Sequence, residues 1–241
     1  MNDLLEFGAQ EQAPVRVLCA GAVREALIDC ARAFCAVQAD ARLVIQVDTS
    51  GGALARLARG ERFHLIAAAS DALDELAGRG ALSGARAALG ASRLALGVRE
   101  GERAPDISTL EAFSQTLLAA RAFSRGDPAG GGTGGRLIEE GLARLGLLEP
   151  TRAKTLLRVG GHRVMAAVAE GEADFGLTQS TEIAAAPGVE VAAFLPAGLQ
   201  VETRYEACAL ANASEEARAL LAHLSSAQGR AAFAAAGFFG A

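Results

Sequence analysis

Three turns combine glycine with hydroxyl side chains, and each stands between an apolar run and a helical pattern. They are Ala20-Gly21-Ala22, Asp48-Thr49-Ser50-Gly51-Gly52 and the stretch from Gly126 to Gly135. Glycine lets a ligand approach the backbone closely, hydroxyl groups donate hydrogen bonds, and the N–H groups at a helix N-terminus favour an anion. Ser, Thr and Gly are also the residues preferred for helix capping. The turns therefore predict either an anion site or three ordinary caps.

The glycine-rich stretch departs from both common nucleotide-binding motifs. No Lys follows Gly135, so the ending of a phosphate-binding P-loop is missing. Gly130, Gly132 and Gly135 match the spacing of a dinucleotide-binding turn, but no acidic residue stands at a strand end about 20 residues later. We therefore predict no cofactor.

Few residues are suited to acid–base chemistry. His64 precedes an apolar run, His162 precedes a helix of small residues, and Asp127 could act as a base or cap the helix that begins near Arg136. His64, His162 and Asp127 are thus the catalytic candidates, although no Ser-His-Asp set can be assembled. His223 lies in the C-terminal helix, where we predict that it is a surface residue.

Two arginines could recognise a carboxylate. Arg136 and Arg163 follow glycine-rich turns, and a guanidinium group can bind a carboxylate through two parallel hydrogen bonds. The alternative is that both are exposed charges that keep the protein in solution.

The four cysteines form no metal-binding pattern. Cys19, Cys30, Cys35 and Cys208 include no CxxC pair and have no His at the spacing of zinc ligands, so we predict no metal site. Their even number leaves two disulfides open for a secreted protein. We favour reduced, mostly buried thiols, since Cys is among the most buried residue types.

Composition excludes several classes of protein. The 241 residues include 23 Lys+Arg and 28 Asp+Glu, a net charge of −5, and 51% are hydrophobic. This hydrophobic share excludes a disordered chain, and the acidity argues against nucleic acid as a partner. No apolar run reaches the roughly 20 residues needed to span a membrane. Asp3 and Glu6 stand where a signal peptide carries basic residues, so the sequence as written predicts a cytoplasmic protein, or a periplasmic one if a signal was removed.

Apolar runs alternate with helical patterns along the whole chain, which predicts an α/β fold of mostly parallel sheets flanked by helices. We predict two lobes joined by crossing strands, one of residues 1–93 plus 203–241 and the other of residues 94–202. The predicted strands are near 15–19, 43–47, 63–67, 93–98, 121–124, 174–177, 189–194 and 204–210, and the predicted helices near 23–34, 54–60, 70–78, 109–118, 136–145, 164–169 and 214–236.

From about Val15 to Phe238, the chain resembles the molybdate-binding proteins of bacterial ABC importers, which have a type II periplasmic-binding-protein fold. The matching stretches are Ala20–Leu27, Thr49-Ser50 with Leu54–Arg56, Gly126-Asp127-Pro128, Gly141–Gly146, Gly171–Gly176 and Leu195-Pro196. The resemblance implies a ligand cleft between two lobes and a small anion, either a tetrahedral oxyanion or a carboxylate, as ligand. It also implies an ABC importer as partner if the protein is exported, with no nucleic acid and no membrane insertion.

The turns, the two arginines and the resemblance together predict ligand-binding residues from both lobes. They are Gly21, Ala22, Thr49, Ser50 and Gly51 in the first, and Thr133, Gly134, Gly135, Arg136, Gly161, Arg163, Gln179 and Ser180 in the second. Ala22 stands where the family has a ligand serine, and Gln179 where it has a ligand tyrosine. Because a site built to hydrogen-bond loses affinity when its donors are missing, these departures argue against molybdate.

Three stretches are more similar to a side branch of the family that includes aconitate isomerase. They are 126–135, 179–183 and 195–200, and they imply a di- or tricarboxylate ligand. The first functional hypothesis is therefore a solute-binding protein that holds a small anion. The alternative is a cytosolic isomerase of the aconitate isomerase type that acts on a small unsaturated polycarboxylate, and a ligand-sensing domain is a third hypothesis.

Overall fold

The computed structural model describes residues 4–241, which form two compact α/β units. The first unit comprises the described residues up to Ala91 together with Thr203–Ala241, and the second is Ser92–Glu202. The chain thus passes between the units twice. No helix in the described part of the chain is both long and apolar enough to cross a membrane.

The strands are β1 (Leu4–Gly8), β2 (Val15–Ala20), β3 (Arg42–Asp48), β4 (Leu65–Ala69), β5 (Leu82–Arg99), β6 (Phe123–Gly126), β7 (Thr155–Arg158), β8 (Phe175–Gln179), β9 (Val189–Phe194) and β10 (Glu202–Leu210). The α-helices are α1 (Arg24–Val37), α2 (Ser50–Ala58), α3 (Ser70–Gly78), α4 (Leu110–Ala119), α5 (Thr133–Arg144), α6 (Leu148–Thr151), α7 (Gly161–Ala169), α8 (Ser180–Ala184), α9 (Glu215–Leu224) and α10 (Ala227–Ala235).

In the first unit the strands lie in the order β1-β3-β2-β4-β10. Strand β2 is parallel to both β3 and β4, whereas β1 and β10 are antiparallel to their neighbours. The central strands are buried on both faces, as helix-covered parallel strands require, and Val17, Leu18 and Cys19 have no exposed surface. The apolar residues of α1 recur at helical spacing and join the same core.

In the second unit β6 is parallel to β7 and β8, while β5 is antiparallel to β8 and β9. Phe113 of α4, Phe123 of β6 and Leu142 of α5 meet in the core on one side of this sheet. Met165 of α7 and Ile183 of α8 belong to the core on the other side. The predicted α/β class is therefore confirmed, with helices flanking sheets whose central strands are parallel.

Several elements of the fold differ from the sequence-based expectation. Strands β1 and β7, helices α6 and α8 and the first half of β5 were not predicted. In β5, residues 82–92 consist largely of Gly, Ala and Ser, which favour strands weakly. Helix α5 begins at Thr133, three residues before the predicted start. Glycines lower helix propensity, but they are tolerated in a first turn that is held by packing.

Candidate functional site

In the first unit, the carboxyl ends of β2, β3 and β4 carry the glycine- and hydroxyl-rich turns. Gly21 and Ala22 form a short 3₁₀ turn after β2, and Thr49, Ser50 and Gly51 follow β3 at the start of α2. Because β2, β3 and β4 are parallel, these residues lie along one edge of the sheet. This is the edge at which α/β proteins bind ligands.

The two adjacent hydroxyl groups in the first unit have different partners. Thr49 is the N-cap of α2, and its Oγ1 accepts a hydrogen bond from the N–H of Gly52 at 2.9 Å. The buried Ser50 hydroxyl accepts a hydrogen bond from the N–H of Ala69 at 3.3 Å. Thr49 therefore caps α2, and its role as a ligand residue stays a prediction. The Ser50 hydroxyl proton is not used in the bond to Ala69 and can be donated to a ligand.

The second unit has an equivalent edge. Parallel strands β6, β7 and β8 end at Gly126, Arg158 and Gln179, and each is followed by a turn into a helix. The starts of α5, α7 and α8 therefore lie along this edge. This arrangement brings the predicted residues Thr133, Gly134, Gly135, Gly161, Gln179 and Ser180 to the same edge of the sheet.

Helix α5 begins without a side-chain cap. Its N-cap residue is Gly132, no acidic residue lies in the first turn, and the bond from the Arg136 N–H to the Gly132 carbonyl is 3.1 Å long. The preceding N–H groups, of Thr133, Gly134 and Gly135, have no acceptor within the helix. They lie at the positive end of the helix dipole and can bind an anion.

The two buried glycines of this turn have different packing environments. A Cβ on Gly135 would lie 3.0 Å from the Gly126 carbonyl carbon, so Gly135 is required for close packing of α5 on β6. A Cβ on Gly134 would lie 3.6 Å from the Gln179 side chain, an ordinary contact distance. Packing therefore explains the glycine at 135 but leaves position 134 able to accept alanine.

The arginines are not buried at this edge. Arg136 is exposed, and its Nη1 lies 3.0 Å from Oε1 of Glu140, one turn further along α5. An exposed ion pair of this kind is weak, so the role of Arg136 as a ligand residue stays a prediction. Arg163 is exposed in the first turn of α7, and its role as a ligand residue stays a prediction.

The predicted donor Gly161 is already bonded to a residue that the sequence analysis did not select. Its N–H donates to Oε1 of Glu182 at 3.2 Å, and the Thr178 hydroxyl donates to Oε2 at 2.5 Å. A Cβ on Gly161 would lie 2.1 Å from Glu182 Oε2, so only glycine allows the carboxyl group to sit there. Burial raises the pKa of Glu182, opposed by these hydrogen bonds. The N–H of Gly161 thus has an acceptor within the chain, and the role of Gly161 as a ligand residue stays a prediction.

Gln179 and Ser180 are both buried at the carboxyl end of β8. The Ser180 hydroxyl lies 3.1 Å from the hydroxyl of Ser92, which also lies 3.2 Å from that of Thr181. Ser180 thus belongs to a buried hydroxyl cluster. Ser92, in β5, was not predicted because nothing in its local sequence marks it.

Two of the catalytic candidates have structural roles. His64 precedes β4, at the opposite edge of the sheet from the turns, and its Nδ1 accepts a hydrogen bond from the Arg16 N–H at 2.9 Å. Burial lowers the pKa of His64. The Asp127 carboxylate accepts from the Ala129 N–H at 2.9 Å, so it caps the short turn Pro128–Gly130 rather than α5.

The other histidines differ in exposure. His162 is exposed in the first turn of α7, next to Gly161, and stays a catalytic candidate. His223 was predicted to be a surface residue, which is wrong: it is partly buried, with its ring 5.7 Å from that of Phe34. Burial lowers the pKa of His223.

The cysteines are free thiols, and Cys19, Cys30 and Cys208 are buried as predicted. Burial raises the pKa of the Cys19 thiol to about 12. Within residues 4–241, no group of three or more His, Cys, Asp or Glu side chains is arranged to hold a metal ion.

Comparison with known sequences gives two matches. A family described as "Bacterial extracellular solute-binding protein" matches residues 15–239. An aconitate isomerase from Pseudomonas sp. is 35% identical over 174 residues, which make up 71% of this chain. The matched region spans 65% of the length of that relative.

Solved structures share the fold. The periplasmic molybdate-binding protein of Azotobacter vinelandii aligns with a TM-score of 0.76 at 21% identity, covering 93% of this chain and 98% of that chain. The substrate-binding protein of an ABC transporter from Agrobacterium tumefaciens aligns with a TM-score of 0.77 at 13% identity, covering 97% and 82% respectively. Identities this low show the fold alone.

Proposed function

Because the chain belongs to the family of bacterial extracellular solute-binding proteins, we propose that it binds a small anion at the carboxyl edges of its parallel strands. The resemblance found in the sequence, to molybdate-binding proteins and to the branch with aconitate isomerase, is confirmed. The observation that carries the proposal is the uncapped first turn of α5, with three N–H groups that lack an acceptor within the helix.

The donors of the first unit support the same chemistry. The Ser50 hydroxyl retains a proton to donate, and it lies at the start of α2, where the helix dipole also favours negative charge. Backbone N–H groups and a hydroxyl are neutral donors, and they fit the oxygen atoms of an oxyanion or of a carboxylate. A small di- or tricarboxylate or a tetrahedral oxyanion is therefore the proposed ligand class.

The proposed partner is an ABC importer, which would receive the ligand from this protein in the periplasm. Support comes from the structural relatives, among them a substrate-binding protein of an ABC transporter. The proposed importer requires that the protein be in the periplasm, whereas the isomerase considered below would act in the cytoplasm.

A thermal-shift series tests the binding proposal. The anions are molybdate, tungstate, sulfate, phosphate, citrate, cis-aconitate and trans-aconitate, each at matched ionic strength. A ligand present at 100 times its dissociation constant adds about 2.7 kcal/mol to the free energy of unfolding, which raises the melting temperature measurably. If none of the seven anions changes the melting temperature, the proposal fails.

A second candidate function is isomerisation of a small unsaturated polycarboxylate. The 35% identity to an aconitate isomerase favours it, and so does a carboxyl group of raised pKa, that of Glu182, beside the candidate site. Such a reaction needs a group that accepts and returns a proton. Incubation with cis-aconitate should then yield trans-aconitate, and chromatography measures its formation. If cis-aconitate binds but is not converted, the isomerase proposal fails and the solute-binding proposal stands.

A further inference from the structure

Two histidines lie at opposite ends of α9. His223 is in the last turn of this helix, and Glu216 in its first turn faces His64, which stands before β4. Both histidines are partly buried in the first unit, whereas His162 of the second unit is exposed. A change of charge on either buried ring would therefore act on the packing of α9.

The His64 ring cannot take up a second proton without losing a hydrogen bond. Its Nδ1 accepts the Arg16 N–H at 2.9 Å, so a proton on Nδ1 would meet another donor. The main chain holds the residue in place, because the His64 N–H donates to the Arg16 carbonyl at 2.8 Å and the Leu210 N–H donates to the His64 carbonyl at 2.9 Å. The geometry thus favours the uncharged ring.

The surroundings of His223 also favour an uncharged ring. The ring bonds to the Cys30 carbonyl of α1, and its Nε2 is buried with no hydrogen-bond partner among residues 4–241. The ring of Phe34 lies 5.7 Å away on the same helix as Cys30. A proton on Nε2 would be a buried donor without an acceptor, which destabilises the packing of α9 on α1.

Nearby charges do not reverse this preference. Burial and then the Arg16 guanidinium lower the pKa of His64, and the Glu216 carboxylate opposes them, with a net shift below 6.5. Burial lowers the pKa of His223 below 6.5, although the bond to Cys30 opposes it. Each histidine therefore contributes stability that is complete above pH 6.5 and is lost as the pH falls through the folded-state pKa.

The helices packed on α9 bring no charge that would stabilise a protonated His223. Their charged or titratable side chains are the pairs Arg24–Glu25 and Asp29–Arg32 and the thiols of Cys30 and Cys35 on α1, and Arg230 on α10. The pairs are neutral overall, burial raises the pKa of both thiols, and Arg230 donates to the Ser225 carbonyl. The charged side chains of α9 itself, Glu215, Glu216 and Arg218, lie nearer its first turn.

The second unit responds to acid in the opposite direction. Its buried carboxyl group, that of Glu182, has a pKa that burial raises, so the folded second unit gains stability relative to its unfolded state as this group is protonated. Mild acid thus weakens the first unit and not the second.

We propose that protonation of His64 and His223 releases α9 from the first unit at mildly acid pH, while the second unit stays folded. The two histidines are then an acid-sensitive switch built into the first unit. This inference does not depend on the proposed anion binding.

Hydrogen exchange measured by mass spectrometry at pH 7.5 and pH 5.5 tests the proposal, with each rate corrected for the intrinsic pH dependence of exchange. In the wild type, the protection factors of α9 and of the facing α1 should fall at least about fivefold at pH 5.5, and those of β6 and β8 should not fall. If α9 keeps its protection, or if both units lose protection together, the proposal fails.

The variant that removes the switch is His64→Asn/His223→Asn. Asparagine does not titrate, and its amide can accept the Arg16 N–H at position 64 and donate to the Cys30 carbonyl at position 223. The protection of α9 in this variant should change less than about twofold between the two pH values. The matched control is His162→Asn, which should respond as the wild type does. A loss of protection in the double variant equal to that of the wild type would overturn the proposal.

A measurement on the wild type covers the case in which the double variant does not fold. The chain has three histidines, so its NMR spectrum contains three ring Cε1–H signals, and the spectrum of His162→Asn identifies the one from the second unit. The other two signals should titrate with midpoints below 6.5. Midpoints at or above 6.5 for His64 and His223 would contradict the proposal.

Discussion

Ser50 joins two neighbouring strand ends through its side chain. Its hydroxyl oxygen accepts the N–H of Ala69 at the end of β4, while its proton is available to a ligand. Ser50→Ala should therefore weaken anion binding by about 1–2 kcal/mol and also lower the free energy of unfolding by about 1 kcal/mol, since a buried N–H loses its acceptor. Calorimetry and urea unfolding measure the two effects.

The control for Ser50→Ala is Thr109→Ala. Thr109 caps α4 in the second unit by accepting from the Ala112 N–H, so its loss should cost about 1 kcal/mol of stability without changing affinity. Equal loss of affinity in both variants would mean that Ser50 acts on the ligand only through stability.

The raised pKa of Glu182 predicts how stability changes with pH. An acid whose pKa is higher in the folded state than its ordinary value of 4.5 binds more protons when folded, so stability falls as the pH rises from about 4.5 through the folded-state pKa. The wild type should thus lose free energy of unfolding relative to Glu182→Gln over that range. Urea unfolding of both proteins at several pH values measures it, and a constant difference would contradict the shift.

Individual residues could be selected as candidates for the site only where the local sequence marks them. Ser50 and Gly134 stand at transitions from an apolar run to a helical pattern, which the sequence displays directly. The contact of Glu182 with Gly161 joins residues 21 positions apart and exists only because α7 packs against α8. The sequence left the role of His64 open, because closeness to a predicted strand does not reveal at which edge of the sheet the side chain lies.

At the scale of elements, the missing cap of α5 can be supplied by mutation. Gly132 has φ −79° and ψ 127°, a conformation that other residues adopt readily. Gly132→Asp should place a carboxylate on the first-turn N–H groups, raising stability by about 0.5–1 kcal/mol and weakening anion binding at least about tenfold, because the new side chain competes with the ligand. Thermal unfolding and calorimetry give the two values.

Gly132→Asn is the matched control, because it offers a cap of similar size without a charge. It should stabilise α5 comparably and reduce affinity less than Gly132→Asp does. Full anion affinity in the aspartate variant would show that the first turn of α5 is not where the ligand binds.

Elements with strong periodicity were predicted well, and those with weak side-chain signals were not. The runs at 15–20 and 42–48 are rich in Val, Leu and Ile and form β2 and β3. The first half of β5 forms a strand although its residues favour strands weakly. In that segment the tertiary setting, rather than propensity, determines the conformation.

At the scale of the whole molecule, the first unit depends on the end of the chain. Strand β10 pairs with β4, and the buried Phe233 and Phe238 belong to the first unit's core. A chain that stops at Glu202 should therefore lose hydrogen-exchange protection in β2, β3 and β4, while the amides of β6 and β8 stay protected. Mass spectrometry of exchanged peptides measures this, and equal loss in both units would contradict it.

The chain passes from the first unit to the second and back, and this path also determines the order in which the two units can fold during synthesis. Residues up to Ala91 leave the ribosome first, yet their sheet lacks β10 until Thr203–Leu210 emerge. Residues Ser92–Glu202 are continuous in the chain, so the second unit can fold while the sheet of the first unit still lacks β10. During that interval the apolar β4 offers an unpaired edge, a feature that invites aggregation. A chaperone that acts during synthesis would therefore protect the residues up to Ala91, which are made first, rather than the residues that have just left the ribosome.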